Sequence, residues 1–204
     1  MNEYAVLSIH GVIILFGLLL LTPFGSSIAT IFHSRYESTK TKRGQLIAGM
    51  VFVCFGGFTV SAHTLWMHNK LSEGQSVCSG DTILNCDGLI GNLSYNTDPL
   101  FSQPWGLIGM VAFTALMWLV LTIGKDPMSP QTPLFIKVGL GATIAGLPII
   151  GLLVSYEIKE GLICPFCTTA HIANVIALVG FFLLFQLNES EDWAPGTKKY
   201  FSRK

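Results

Sequence analysis

"CPFCTTAHIANV", residues 164–175, puts two cysteines three positions apart at the entrance of an apolar run that continues to Leu187. Side chains three apart share a helix face about one turn apart. Cys164 and Cys167 can therefore close a disulfide or stand as a free dithiol. A thiolate in a first helical turn also meets the positive end of the helix dipole, which stabilises the charge of a nucleophile or electron donor. Whether the pair is a staple, a set of metal ligands or a redox centre depends on what the rest of the chain gathers around it.

The composition points to a bilayer. Half of the 204 residues are apolar or aromatic and only 12% are charged, against about 25% in a typical soluble domain. Mean hydropathy is +0.56. The net charge is zero, which argues against a nucleic-acid partner. Five apolar segments are long enough to cross: Tyr4–Phe32, Leu46–Met67, Pro104–Gly124, Pro133–Tyr156 and Leu162–Leu187, a crossing needing about 20 residues. The first is read as a helix rather than a signal peptide, because "MNEY" carries no Lys or Arg and the stretch exceeds the usual core of about 7–15 residues. The fold class expected is an all-α membrane protein with five transmembrane helices. Pro148 and the "CFGGF" stretch at 54–58 predict kinks or close helix contacts.

Charge then orients the bundle. Arg35, Lys40, Lys42, Arg43, Lys125, Lys137, Lys198, Lys199, Arg203 and Lys204 fall on one side, leaving only Lys70 and Lys159 opposite. The positive-inside rule makes the basic side cytoplasmic, with the N-terminus outside and the C-terminus inside. The expected location is that of an integral membrane protein.

Cys78 and Cys86 lie in the long connection 69–103, and Cys164 and Cys167 open the last span, so both pairs are expected on the oxidising, extracytoplasmic face. Cys54, inside the second span, reads as a small buried apolar residue. Four readings stay open for the two pairs: permanent staples, a zinc site with His63 and His68 as extra ligands, a non-catalytic subunit or assembly factor of a larger complex, and redox catalysis. Glu73, Asp81, Asp87 and Asp98 make the connection acidic, which reads as a solvated surface or a selector for a basic partner. His63 and Asn174 are polar groups within spans and call for interhelical hydrogen bonds. His10 receives no role.

At these residues the chain resembles the vitamin K epoxide reductase family, including its prokaryotic disulfide-forming members. Similarity to those members makes the expected membrane the plasma (inner) membrane of a prokaryote. "CSGDTILNC", residues 78–86, is similar to the family's loop pair with seven residues between the cysteines. "DPLFSQPWGLIGM", residues 98–110, resembles its lead into the next helix, with an aromatic-Gly step at Trp105–Gly106. "CPFCTTAHIANV" is similar to the dithiol of its final helix. The resemblance covers Leu46 to Leu187 and implies a four-helix redox core at 46–187, an extra N-terminal helix and basic loop at 1–45, and a cytoplasmic tail at 188–204. The chain departs from the family pattern at Asn92, where a hydroxyl residue is usual, with Ser94 two positions on.

The resemblance implies a quinone-dependent thiol–disulfide oxidoreductase, with ubiquinone or menaquinone as the cofactor. Reduction of vitamin K or its epoxide is the variant of that chemistry in an endoplasmic reticulum. Many prokaryotic relatives carry a fused thioredoxin-like domain and this chain has no room for one, so the expected partner is a separate extracytoplasmic thioredoxin-like protein. Its dithiol would attack the Cys78–Cys86 disulfide at Cys78. Cys86 would then exchange with Cys164, and Cys167 would reduce the quinone. For the ring site, His171 lies one turn below Cys167 and is the expected hydrogen-bond donor. Ser102 and Gln103 are expected as further polar contacts, and Phe101, Trp105 and Phe166 as walls.

Overall fold

The computed structural model describes residues 3–29, 40–78 and 83–193. Eight α-helices follow in chain order among these residues: α1 Glu3–Leu21, α2 Gly25–Ala29, α3 Lys42–Ser72, α4 Asp87–Ile90, α5 Leu93–Asn96, α6 Trp105–Lys125, α7 Thr132–Glu160 and α8 Pro165–Asn188. Four of them, α3, α6, α7 and α8, are long and apolar enough to cross a membrane, and α1 is a shorter apolar helix beside them. The only bridges among the described residues are the isolated pairs Leu84–Ile163 and Thr97–Pro104, so the architecture is all-α, as composition and spacing predict.

Each helix end has a local cause. Thr41 caps α3, its hydroxyl accepting the Gly44 N–H at 3.0 Å. Pro133 and Pro165 sit in the first turns of α7 and α8, where no N–H is needed. The first apolar segment is not one continuous helix. It stops at Leu21, before the Thr22–Pro23 step, and α2 begins at Gly25. The break exposes carbonyls that Gln45 of α3 recovers, its side-chain amide donating to Leu20 O at 2.6 Å and Thr22 O at 3.2 Å. The end of that segment, 30–32, lies outside the described residues.

α3 is the central element, packed against α1, α6 and α8. Its Met50, Val53 and Cys54 are fully buried among Ile14, Phe113, Val120, Ile136 and Phe181. The glycines of "CFGGF" explain how two neighbours come so close. A Cβ on Gly56 would strike Ile14 of α1, and one on Gly57 would overlap the Phe113 ring of α6. α7 packs on α8 and only lightly on α6, which leaves a gap between α6 and α7. Beyond α8, a short 3-10 turn, Glu191–Trp193, docks the start of the polar tail. Trp193 is buried, donating its indole N–H to Pro127 O at 2.9 Å, with Arg43 above its ring. The remainder of the tail, with its four basic residues, lies outside the described residues.

Candidate active site

The connection between α3 and α6 is bound to the head of α8 by main-chain pairing. Ile163 N donates to Ile83 O at 2.8 Å and Asn85 N to Ile163 O at 3.1 Å. This parallel bridge sets Cys86, the next residue, against the first turn of α8, where the Phe166 N–H favours a thiolate on its sulfur. Cys86 is wholly buried, in one apolar cluster with Cys164, Phe166, Val60, Met67 and Ile90. Cys78, half-buried, and Cys167 pack against the same cluster. The four cysteines of the two pairs therefore meet at one end of the bundle.

Within α8, Cys164 is the N-cap and its sulfur accepts the Cys167 N–H at 3.2 Å. Cys164 and Cys167 are joined as a disulfide with their Cα atoms 5.2 Å apart, while Cys78 and Cys86 are free thiols that share a hydrogen bond. Burial first, then that bond and the charges on Cys78 and Asp87, pushes the Cys86 thiol well above the ordinary thiol range. The Phe166 N–H pulls it partly back.

Two acids in the connection hold it in shape, and neither is the solvated surface group expected. Asp87 accepts from Ser76 Oγ at 2.6 Å, Val77 N at 3.2 Å and Cys78 N at 2.8 Å. It thereby ties Cys78 down beside Cys86. Asp98 is buried and accepts from the backbone of Leu100, Phe101 and Gln103. Burial raises its proton affinity, but the N–H groups of Phe101, Gln103 and Leu100 outweigh that and hold it below the usual carboxylate value. The tight turn they enclose carries Ser102 at φ 54°. Glu73 is exposed and pairs with Lys70 at 2.9 Å. Asp81 lies outside the described residues.

Beside Cys167 the gap between α6 and α7 widens into a cavity of about 170 Å³, closed above by α4 and α5 and behind by α3 and α8. A single water needs roughly 10–15 Å³ measured this way, so the space suits a ring-sized ligand. Its walls are mainly aliphatic, and Cys167, His171 and Asn174 line it from one face of α8. Trp105 and Tyr156 contribute aromatic wall. Trp105 is fixed by its indole N–H donating to Tyr95 O at 3.1 Å, and Tyr95 in turn meets the Tyr156 ring at 4.9 Å. Asn174 donates to Thr143 O on α7 at 3.2 Å, the interhelical bond its position called for.

The structure divides the expected ring contacts into two groups. His171 and Trp105 line the cavity together with Cys167. Phe101 is 74% exposed, Ser102 and Gln103 are also exposed, and none of the three lines the cavity. Phe166 is buried on a different side of α8, its ring stacked on His63 at 4.8 Å and edge-on to His10 of α1 at 6.4 Å. His63 Nε2 thus has no hydrogen-bond partner among the described residues, in place of the interhelical bond expected. His10, which received no role, is buried with Nδ1 3.1 Å from Thr59 Oγ1. Asn92 caps α5, accepting Ser94 N at 3.0 Å, and is not a cavity residue.

Three side chains shape the site beyond what the sequence indicated: Asp87, which read only as one of a group of acids, and Tyr156 and Glu157, which carried no role. Tyr156 and Glu157 sit at and beyond the end of the apolar stretch, where hydropathy gives no reason to look inward.

A family model described as "Vitamin K epoxide reductase family" matches residues 48–182. The match takes in most of α3, the connection with its two cysteines, α6, α7 and most of α8, and leaves α1 outside. No curated protein and no solved structure matches the chain.

Proposed function

The chain belongs to the vitamin K epoxide reductase family, and on that premise we propose that it oxidises the dithiol of an extracytoplasmic thioredoxin-like partner and passes the electrons to a membrane quinone. The family and the apolar helices make it a membrane oxidoreductase. The partner, the acceptor and the orientation, with the cysteine end outside, are our reading.

The single observation that carries it is the continuity from loop sulfurs to helix sulfurs to cavity. Cys78 is the more accessible loop sulfur, so it is the one an outside thiolate attacks. Cys86, freed by that attack, is too buried for an outside thiol to reach but lies against the turn that holds Cys164. Exchange requires a thiolate and an approach to one sulfur of the target disulfide. The Phe166 N–H stabilises the negative charge on Cys86 where it would enter. The disulfide then resides on the loop, and Cys167 stands as a thiol on the cavity wall.

The cavity fits a quinone head: aliphatic and aromatic walls with a few polar groups at one side are the usual make-up of a ring site. Cys167, His171 and Asn174 would hold it from α8, with Trp105 and Tyr156 as flanking rings. A quinone held there would supply the acceptor for the two electrons and two protons that closure of Cys164–Cys167 releases. His171, one turn below Cys167, is placed to hold a proton at a ring nitrogen for a carbonyl oxygen. The light contact between α6 and α7 is the natural entry from the lipid.

The reading is tested in purified protein given a reduced thioredoxin-like dithiol and a short-chain quinone. Cys164→Ala and Cys167→Ala should each abolish quinone reduction. Unchanged turnover in either variant rejects the proposal.

A further inference from the structure

Among the described residues that line the cavity there is one carboxyl group, Glu157. Its placement follows from how α7 ends. Gly161, at φ 65°, reverses the chain, and Leu162 N returns to Glu157 O at 3.1 Å. That turn lays the last part of α7 against the start of α8. Glu157 Oε1 then accepts the Cys164 N–H at 3.2 Å. Oε2 has no hydrogen-bond partner among the described residues, and no Lys or Arg there forms an ion pair with Glu157. The nearest cation along the helix, Lys159, lies over the Tyr95 ring at 5.5 Å instead. A carboxylate anchored by one oxygen to the backbone N–H of the N-cap cysteine, with the other unengaged in a cavity that Cys167 also lines, is a proton acceptor at the head of α8.

Closure of the helix disulfide needs such a group. Two S–H bonds break and one S–S bond forms, so two electrons and two protons must leave together. The lining offers few takers for a proton: Glu157, His171 and the phenols Tyr95 and Tyr156. The phenols are O–H donors, Tyr95 giving its own to Glu160 at 2.6 Å, and His171 sits a turn deeper. We propose that Glu157 takes the Cys164 thiol proton as the Cys164–Cys167 disulfide closes. The inference deepens the reading above and rests on it. The balance is dithiol plus quinone giving disulfide plus quinol: the electron pair leaves through Cys167, the Cys164 proton moves to Glu157, the Cys167 proton moves to His171, and both protons end on the quinone oxygens.

The test closes the disulfide without any quinone, using diamide as a small thiol oxidant on the intact protein and counting thiols by alkylation and mass. Glu157→Gln keeps an oxygen for the Cys164 N–H but accepts no proton. Closure should slow by about a hundredfold, the lower end of what a positioned proton acceptor contributes, while opening by a small dithiol keeps its rate. Closure at the wild-type rate, or equal slowing of closure and opening, overturns the inference. Glu157→Ala provides an independent route: added acetate should restore its closure rate and chloride should not, and failure of acetate to do so counts against the role. Because diamide bypasses the cavity, a protein that shows Glu157-dependent closure but never reduces quinones would sink the function proposed above and leave this inference standing.

Discussion

The backbone N–H of Phe166 faces the sulfur of Cys86 and favours its thiolate, so a residue between the two helix cysteines acts on the buried cysteine of the loop. One N–H thereby links the loop pair to the helix pair. It also opposes everything else acting on Cys86, since burial, Cys78 and Asp87 all disfavour the thiolate.

That opposition gives internal exchange a pH signature. A thiol whose pKa is raised holds little thiolate near neutral pH, and its thiolate fraction grows about tenfold per pH unit until the pKa is passed. If Cys86 is the entering sulfur, transfer from the reduced loop to the Cys164–Cys167 disulfide should accelerate with that slope through the neutral and mildly alkaline range. Rapid acid quench followed by alkylation of the protein reads it directly. A rate that levels off near neutrality would mean that another sulfur enters.

Asp87→Asn should loosen the loop and ease the Cys86 thiol downward at the same time. The carboxylate accepts three donors from Ser76, Val77 and Cys78, and hydrogen bonds to a charged group contribute about 1.5–3 kcal/mol each. Amide exchange at Val77 and Cys78 should quicken, and Cys86 should alkylate faster at fixed pH because a neighbouring negative charge is gone. Unaltered exchange at those amides would show that Asp87 does not hold the segment.

The long helices and the common end of the cysteine pairs were legible because they depend on hydropathy and spacing. Phe166 was legible in part. At 3.6 residues per turn it points about 100° away from Cys167, while His171 and Asn174 share the Cys167 side, so one cavity wall cannot hold all four. The roles of Asp87, Asp98 and Glu157 were not legible. Each depends on a turn that folds the backbone onto the carboxylate, and a sequence of charges in a polar connection looks the same whether those turns form or not. The break after Leu21 was signalled by Pro23 but masked by the apolar residues around it.

Helix packing offers a paired test of stability. Gly57→Ala forces a methyl into the Phe113 ring, and overpacking of this kind costs about 1–3 kcal/mol. Gly141→Ala, with nothing within 4 Å of the new methyl, should be neutral or gain up to about 1 kcal/mol of helix propensity. Thermal unfolding in detergent separates the two. Equal melting of both variants would contradict the close α3–α6 contact.

Filling the cavity should split the two halves of the reaction. Ala112 of α6 lines the space on the side away from the sulfurs, so Ala112→Trp puts an indole where a ring would lie and leaves the loop bridge and the head of α8 untouched. The KM for a short-chain quinone should rise by at least about tenfold, which corresponds to about 1.4 kcal/mol of lost binding. Transfer of the disulfide between Cys86 and Cys164 should keep its rate, because its contacts lie at the other end of the cavity wall. The comparison also guards against misfolding, since a collapsed bundle would lose both activities together. An unchanged quinone KM in a folded Ala112→Trp protein would move the proposed ring site out of the α6–α7 gap.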